Sequence, residues 1–284
     1  MSIHPLAVVS PDAILGAGVT VGPFAVIEGG VVLGERCTVG SGAVIKSGVT
    51  AGSDNEFHEH VVIGGAPQHV ARPAHVGGVR IGHRNVFREH STVHRALHAD
   101  GHTSIGDGNY LMVGVHVGHD TVIGDHCIFA NAALLGGHVT VEDRAFVSGA
   151  VAVHQFCRIG RLAMVGGHAR VTQDVPPYML IDGQTGCVVG LNVVGLRRGG
   201  YTGAMITELK AAYRIIYRRG IPWAEVLEAL ALEFPSGPVV HLQAFLSKGK
   251  RGFAQERRGP PGVTLRIRTP ETEPESAHAH ARAG

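Results

Sequence analysis

The amino-acid sequence predicts a mainly β protein, a parallel β-helix of hexapeptide repeats followed by a small C-terminal α-helical domain. Three observations predict it. Apolar residues recur every six positions at Val9, Leu15, Val21, Ile27, Leu33, Val39, Ile45, Ala51, Phe57 and Ile63, a period that fits neither an amphipathic helix nor an alternating strand. The chain holds 41 Gly while aromatic residues make only 5%, a composition for tight repetitive coils and against an aromatic-filled core. After about Tyr201 the apolar spacing becomes helical, with Ile206, Leu209, Tyr213, Ile216 and Tyr217.

Within each hexad a mostly small residue stands two places before the apolar one, as at Ala7, Ala13, Val19 and Ala25, and glycine often follows it, as at Gly16, Gly22, Gly34 and Gly40. The expectation is that these glycines make the turns, where the absence of a Cβ frees the backbone. The phase persists at Ile81, Phe87 and Val93, and again from Ile105 to Val171. Two interruptions, about Gly65 to Arg80 and Arg95 to Ser104, are expected to hold loops that bulge from the prism. Three hexads make a coil of about 18 residues, so positions that far apart stack in columns. His102, Asp120 and His138 share one such column.

Pro176 and Pro177 in QDVPPYMLIDGQ are expected to end the β-helix, giving it residues 1–175, with a connecting segment over 176–201. A helical domain over 202–253 follows, with Gly220 as a stop and Pro222 and Pro238 as starts. The composition of 254–284 predicts a disordered tail.

A formal charge of +2 and the lack of basic stretches interleaved with aromatics argue against nucleic acid as a partner. Cys37, Cys127, Cys157 and Cys187 form no CxxC pair, so neither a disulfide framework nor a cysteine zinc site is expected. No apolar run reaches membrane-spanning length and no leader pattern opens the chain. These features predict a soluble cytoplasmic protein with reduced thiols.

The stretch VHVGHDTVIGDHCIFANAALLGGHV, Val115 to Val139, places four histidines and two aspartates in an apolar background. Turn and surface positions tolerate such residues. Yet His119 directly precedes Asp120, and a carboxylate beside an imidazole suits a general base. Both occupy a corner of their hexad, where side chains are expected to face solvent or a neighbouring subunit. Zinc is the competing reading, with His116, His119 and His138 as ligands of a hydratase or hydrolase. Cys127 and Cys157 are expected to pack. From Leu196 to Arg258, eleven Lys and Arg stand against five acidic residues, a local excess of +6 suited to an acidic partner.

The segments HVGHD, LLGGHV, AVHQFCRIG, MVGGHARVTQDVPPY and GLNVVGLRRGGY, set between a hexapeptide prism and a helical tail, resemble the acyl-ACP–UDP-N-acetylglucosamine O-acyltransferases that open lipid A synthesis. The resemblance implies a homotrimer of left-handed β-helices with active sites between subunits, and no cofactor. It implies His119 as the base for the glucosamine 3-hydroxyl, Asp120 as its orienting group, and the Gly137 N–H as oxyanion donor to a (R)-3-hydroxyacyl thioester on acyl carrier protein. His94, His116, His138, His154 and Gln155 match substrate-cleft positions, and Asn192 and Arg198 nucleotide- or carrier-facing ones. Gly167 matches the gauge of acyl length. The chain departs from the family pattern at Gln68-His69-Val70-Ala71, at Val194 and at Gly199, so a 3-amino UDP-sugar acceptor and a non-catalytic binding trimer are alternatives.

Overall fold

Side chains at six-residue spacing all point to one interior only if the chain turns once per hexad. The computed structural model, which describes residues 1–71 and 73–257, follows that rule. Strands mostly two residues long form three flat faces of a left-handed prism. Face I holds 11 strands, from Ser2–Ile3 to Val188–Leu191; face II holds nine, from Val8–Val9 to Arg170–Val171; face III holds eight, from Ile14–Leu15 to Arg158–Ile159. Each strand pairs in parallel with its counterpart one coil on, as Leu111 does with Phe129. The hexad residues from Val21 to Val171 fill the interior and are almost wholly buried.

The turns differ from the expectation. The glycine that follows an inward residue is, apart from Gly64, not the left-handed turn residue; the positive φ falls two places later. Sixteen non-glycine residues adopt it, among them an unbroken six-spaced series from Asp120 through His126, Ala132, His138, Arg144, Ala150, Phe156 and Leu162 to His168. Asp and His tolerate this conformation better than most side chains, and five of the sixteen are histidines. The glycines serve a different need: a Cβ on Gly118 would lie 2.8 Å from the Gly136 carbonyl carbon of the next coil. Close stacking of coils requires them.

The two interruptions are loops between Gly65 and Gly78 and between His94 and His102. Phe57 pairs with Phe87, 30 residues on, and Phe87 with Leu111, 24 on. These separations exceed a coil by two hexads and by one, so the phase survives. Both loops leave the same edge, the corner between faces II and III.

The prolines do not end the prism. Met179–Ile181 resumes face I in parallel with Met164–Val165, after a coil shortened to 16 residues (Val165 pairs with Ile181), and Val188–Leu191 adds an antiparallel edge. Helix α1 (Val193–Arg198) follows, then α2 (Gly203–Arg218), α3 (Trp223–Glu233) and α4 (Pro238–Leu246). Gly220 has positive φ beyond α2, and Pro238 opens α4. A tail beginning at residue 254 is also corrected in part. Asp174 bridges Phe253, the Ala254 N–H donates to the Asp174 carbonyl, and Val188 bridges Glu256, because the last coil leaves edge groups that need partners. Residues 258–284 of the expected tail lie outside the described residues.

Asp174, 1% exposed, ties these parts together. It accepts from the backbone N–H and the Nε of Arg158 at 2.8 Å each, while the same guanidinium donates to the Phe245 carbonyl and lies 3.9 Å over the Phe245 ring.

Candidate active site

The II–III corner collects polar groups from successive coils. His119 ends the turn after the strand His116–Val117, and Asp120 takes the left-handed position with φ of 60°. That backbone turns the carboxylate toward its neighbour: His119 Nδ1 lies 2.7 Å from Asp120 Oδ2. A carboxylate accepts only, so Nδ1 carries the proton and Nε2 of the neutral ring is left with its lone pair. The Leu97 N–H donates to the same Oδ2 at 2.9 Å, and the Asp120 N–H donates to Thr103 Oγ1 at 2.9 Å. The loop after His94 therefore fixes the carboxylate, and the carboxylate fixes the imidazole.

His119 is only 7% exposed. It does not lie inside the prism. His69 of the first loop stands edge-on at 5.8 Å and His138 of the next coil edge-on at 5.1 Å, and these cover it. Gly137 lies directly against the ring, where a Cβ would come within 2.6 Å of His119 Nε2. Among the described residues the Gly137 N–H has no backbone acceptor, whereas the Gly136 and His138 N–H groups donate to Val153 and His119 carbonyls at 2.9 Å. His138 is held by the stacked ring of Phe156, centroids 4.6 Å apart. His154 and Gln155 follow on the next coil, both exposed.

His94 ends and His116 begins neighbouring strands of face II leading into this corner, rings 4.9 Å apart. Burial holds the His94 imidazole down to about 4 and lowers that of His116, with nearby imidazoles adding to both effects. Burial likewise lowers His138, against the opposing pull of Asp120. His116 Nδ1 is engaged by Thr92 Oγ1 at 2.8 Å. The three-histidine zinc set is therefore not formed: the groups whose ligand atoms converge are His119, Asp120 and His138. Cys127 and Cys157 are buried as expected, their thiols pushed up by burial to about 12 and about 11.

Asn192 and Arg198 lie elsewhere. They line a groove of about 710 Å³ on face I, with Ile128, Phe146, Met164 and Arg144. Val194 and Gly199, two of the departures, line it as well. Asn192 is occupied structurally: its Oδ1 caps α1 by accepting from the Gly195 N–H, and its Nδ2 donates to the Leu162 carbonyl, both at 2.9 Å. Gly167 is exposed on the I–II corner, apart from both sets. Phe156 and His69 went unread as site residues. Phe156 sits 18 residues after His138, a column signal present in the sequence; His69 reaches the site through a loop whose path no period encodes.

Comparison with known proteins connects this geometry to a family. The family model described as UDP N-acetylglucosamine O-acyltransferase, domain 2, matches residues 174–254, and the bacterial transferase hexapeptide model matches 12–47 and 102–137. An acyl-[acyl-carrier-protein]–UDP-N-acetylglucosamine O-acyltransferase of Verminephrobacter eiseniae is 42% identical over 89% of this chain and 99% of its own length. The chain belongs to the acyl-[acyl-carrier-protein]–UDP-N-acetylglucosamine O-acyltransferase family. The Myxococcus xanthus O-acyltransferase of that name is 45% identical over 89% of this chain and 99% of its own. Solved UDP-N-acetylglucosamine acyltransferases superpose over 89% of the chain: that of Francisella novicida with a TM-score of 0.85 and 33% identity, that of Bacteroides fragilis with 0.86 and 35%, covering 94% and 99% of those chains.

Proposed function

We propose that this O-acyltransferase moves a (R)-3-hydroxyacyl chain from acyl carrier protein to the 3-hydroxyl of UDP-N-acetylglucosamine, the opening step of lipid A synthesis, with His119 as general base. The observation that carries the reading is the 2.7 Å contact of His119 Nδ1 with Asp120, which leaves Nε2 free to take a proton. As the sugar oxygen attacks the thioester carbon, its proton passes to Nε2, and Asp120 stabilises the imidazolium that forms. The Gly137 N–H, free of a backbone partner, is suited to hold the developing oxyanion. The tetrahedral adduct then expels the carrier thiolate, which takes the proton back from His119. His94 and His116, kept neutral by burial, offer uncharged donors and acceptors to the sugar.

A single prism keeps the histidine corner and the groove with Asn192 and Arg198 on opposite sides, since face I lies across from the II–III corner. A closed three-fold ring of heterologous contacts would set the corner of one copy against a neighbour. The excess of positive charge after Leu196 suits the acidic carrier protein. Among the described residues no helix is long and apolar enough to cross a membrane, and a carrier protein and a nucleotide sugar as substrates support a cytoplasmic enzyme.

The test is incubation with a ladder of hydroxyacyl carrier proteins and UDP-N-acetylglucosamine, with its 3-amino analogue as comparator, and product identification by mass. An ester of the 3-hydroxyl sugar is expected. Exclusive acylation of the amino analogue, or binding without product, would overturn the reading.

A further inference from the structure

Among the described residues, two clusters of His and carboxylate groups have ligand atoms within 4.8 Å of one another: His119, Asp120 and His138, and His58, Glu59 and Glu89. They differ in what already neutralises the carboxylates. Glu89 is held by one edge of the Arg88 guanidinium, Nε at 3.1 Å and Nη2 at 2.7 Å, so a cation there would displace a charged partner. Asp120 has no Lys or Arg partner among the described residues; its ionic contacts are His119 at 2.7 Å and His138 Nε2 at 3.8 Å.

We infer that His119, Asp120 and His138 form an inhibitory site for a borderline divalent cation of the zinc or cobalt kind. Two imidazoles and one carboxylate make a nitrogen-rich donor set that favours such ions over magnesium or calcium. The set is preorganised. Asp120 and His138 occupy equivalent left-handed corners one coil apart, the His138 N–H donates to the His119 carbonyl at 2.9 Å, and Phe156 stacks against the His138 ring within 8° of parallel. Zinc bonds of about 2.0–2.2 Å require the donors to close inward from these separations. The ion replaces the proton between His119 Nδ1 and Asp120 Oδ2, which is released or moves to His119 Nε2. Water fills the fourth position.

The bound ion takes the groups that would orient and accept the substrate proton. Its occupancy therefore excludes acyl transfer, and it competes with the acceptor sugar. The inhibition rests on the function proposed above; the binding site does not.

The experiment uses the full-length protein stripped of metal by dialysis against chelator. Zinc is titrated by calorimetry and during turnover, and cobalt is added in parallel to read the intense visible band of a four-coordinate ion. One ion per protomer, a cobalt band, and inhibition relieved by excess UDP-N-acetylglucosamine are expected. Since loss of even an outer-sphere partner costs about tenfold or more in affinity, His138→Gln is expected to weaken zinc by at least about that factor and to abolish the band. Glu89→Gln is expected to change neither. Thermal melts check that each variant is folded. Absence of saturable binding, or zinc binding unchanged in folded His138→Gln, overturns the proposal. A protein that binds cobalt at this site but transfers no acyl group when metal-free overturns the functional reading instead.

Discussion

Two corners of one prism use the same residue types in opposite ways. At the III–I corner, polar side chains recur coil after coil and each is consumed by backbone: the His83 N–H donates to Asp107, the Asp107 N–H to Asp125, and the Asp125 N–H to Asp143, at 2.7–3.0 Å. Inside that edge, Asn55 accepts from the Asn85 N–H, Asn85 from the Asn109 N–H and Asn109 from the Cys127 N–H. At the II–III corner the ladder is broken. Asp120 turns sideways to His119, and Gly137 brings no side chain. Uniform stacking satisfies groups; interruption leaves them free for chemistry.

The sharpest way to break this comparison is substitution of one histidine from each corner. His119→Ala is expected to lower kcat by about 10²- to 10⁴-fold with an unchanged melting temperature. His83→Ala, two residues beyond inward Ile81 at the III–I corner as His119 is beyond Val117, is expected to leave kcat unchanged in the same assay. Equal losses would remove the distinction between the corners.

Stability should respond the other way round. Asn85→Ala strips the side-chain acceptor from the buried Asn109 N–H and one of the two Asn85 donors from Asn55, and an unsatisfied buried polar group costs about 1–3 kcal/mol. Denaturant melts should show a loss of that order while turnover per folded enzyme holds.

A smaller effect lies in pH. Free imidazoles titrate near 6.5, whereas buried His94 is held to about 4 and His116 is lowered. Above 6.5 neither state takes up the proton; as pH falls from there toward about 4, the unfolded chain binds protons first and stability is lost. His94→Gln should flatten the dependence of the melting temperature on pH across that window.

Smallest in stability is Gly167→Met. A Cβ there would meet nothing closer than the Gly149 carbonyl oxygen at 3.5 Å, so the melt should not move. The preferred acyl chain, read across the carrier ladder, should shorten. An unchanged chain preference would remove Gly167 from the site.

The repeat was legible from Val9 to Val171 because each hexad obeys one local rule, and insertions of whole hexads preserve it. The prism continuing past Pro176–Pro177 was not, since a 16-residue coil leaves the period. The abundance of histidine has two causes that the sequence does not separate. His126 and His138 both occupy left-handed corners, a backbone preference, yet only His138 stands beside Asp120. His119 and Asp120 were readable as adjacent letters; their cover by His69 and the tether from Leu97 depend on loops of no fixed period.

By itself, then, the sequence determined the coil, its phase, the inward residues and the pairing of an imidazole with its neighbouring carboxylate, because these are set within a few residues of one another. Which polar groups at each corner are left without backbone partners was decided only in three dimensions. There the hydrogen-bond partners of Asp120, the exposure of His119 and the separate groove at Asn192 are fixed by contacts between residues tens of positions apart, and a repeat makes such corners alike until those contacts form.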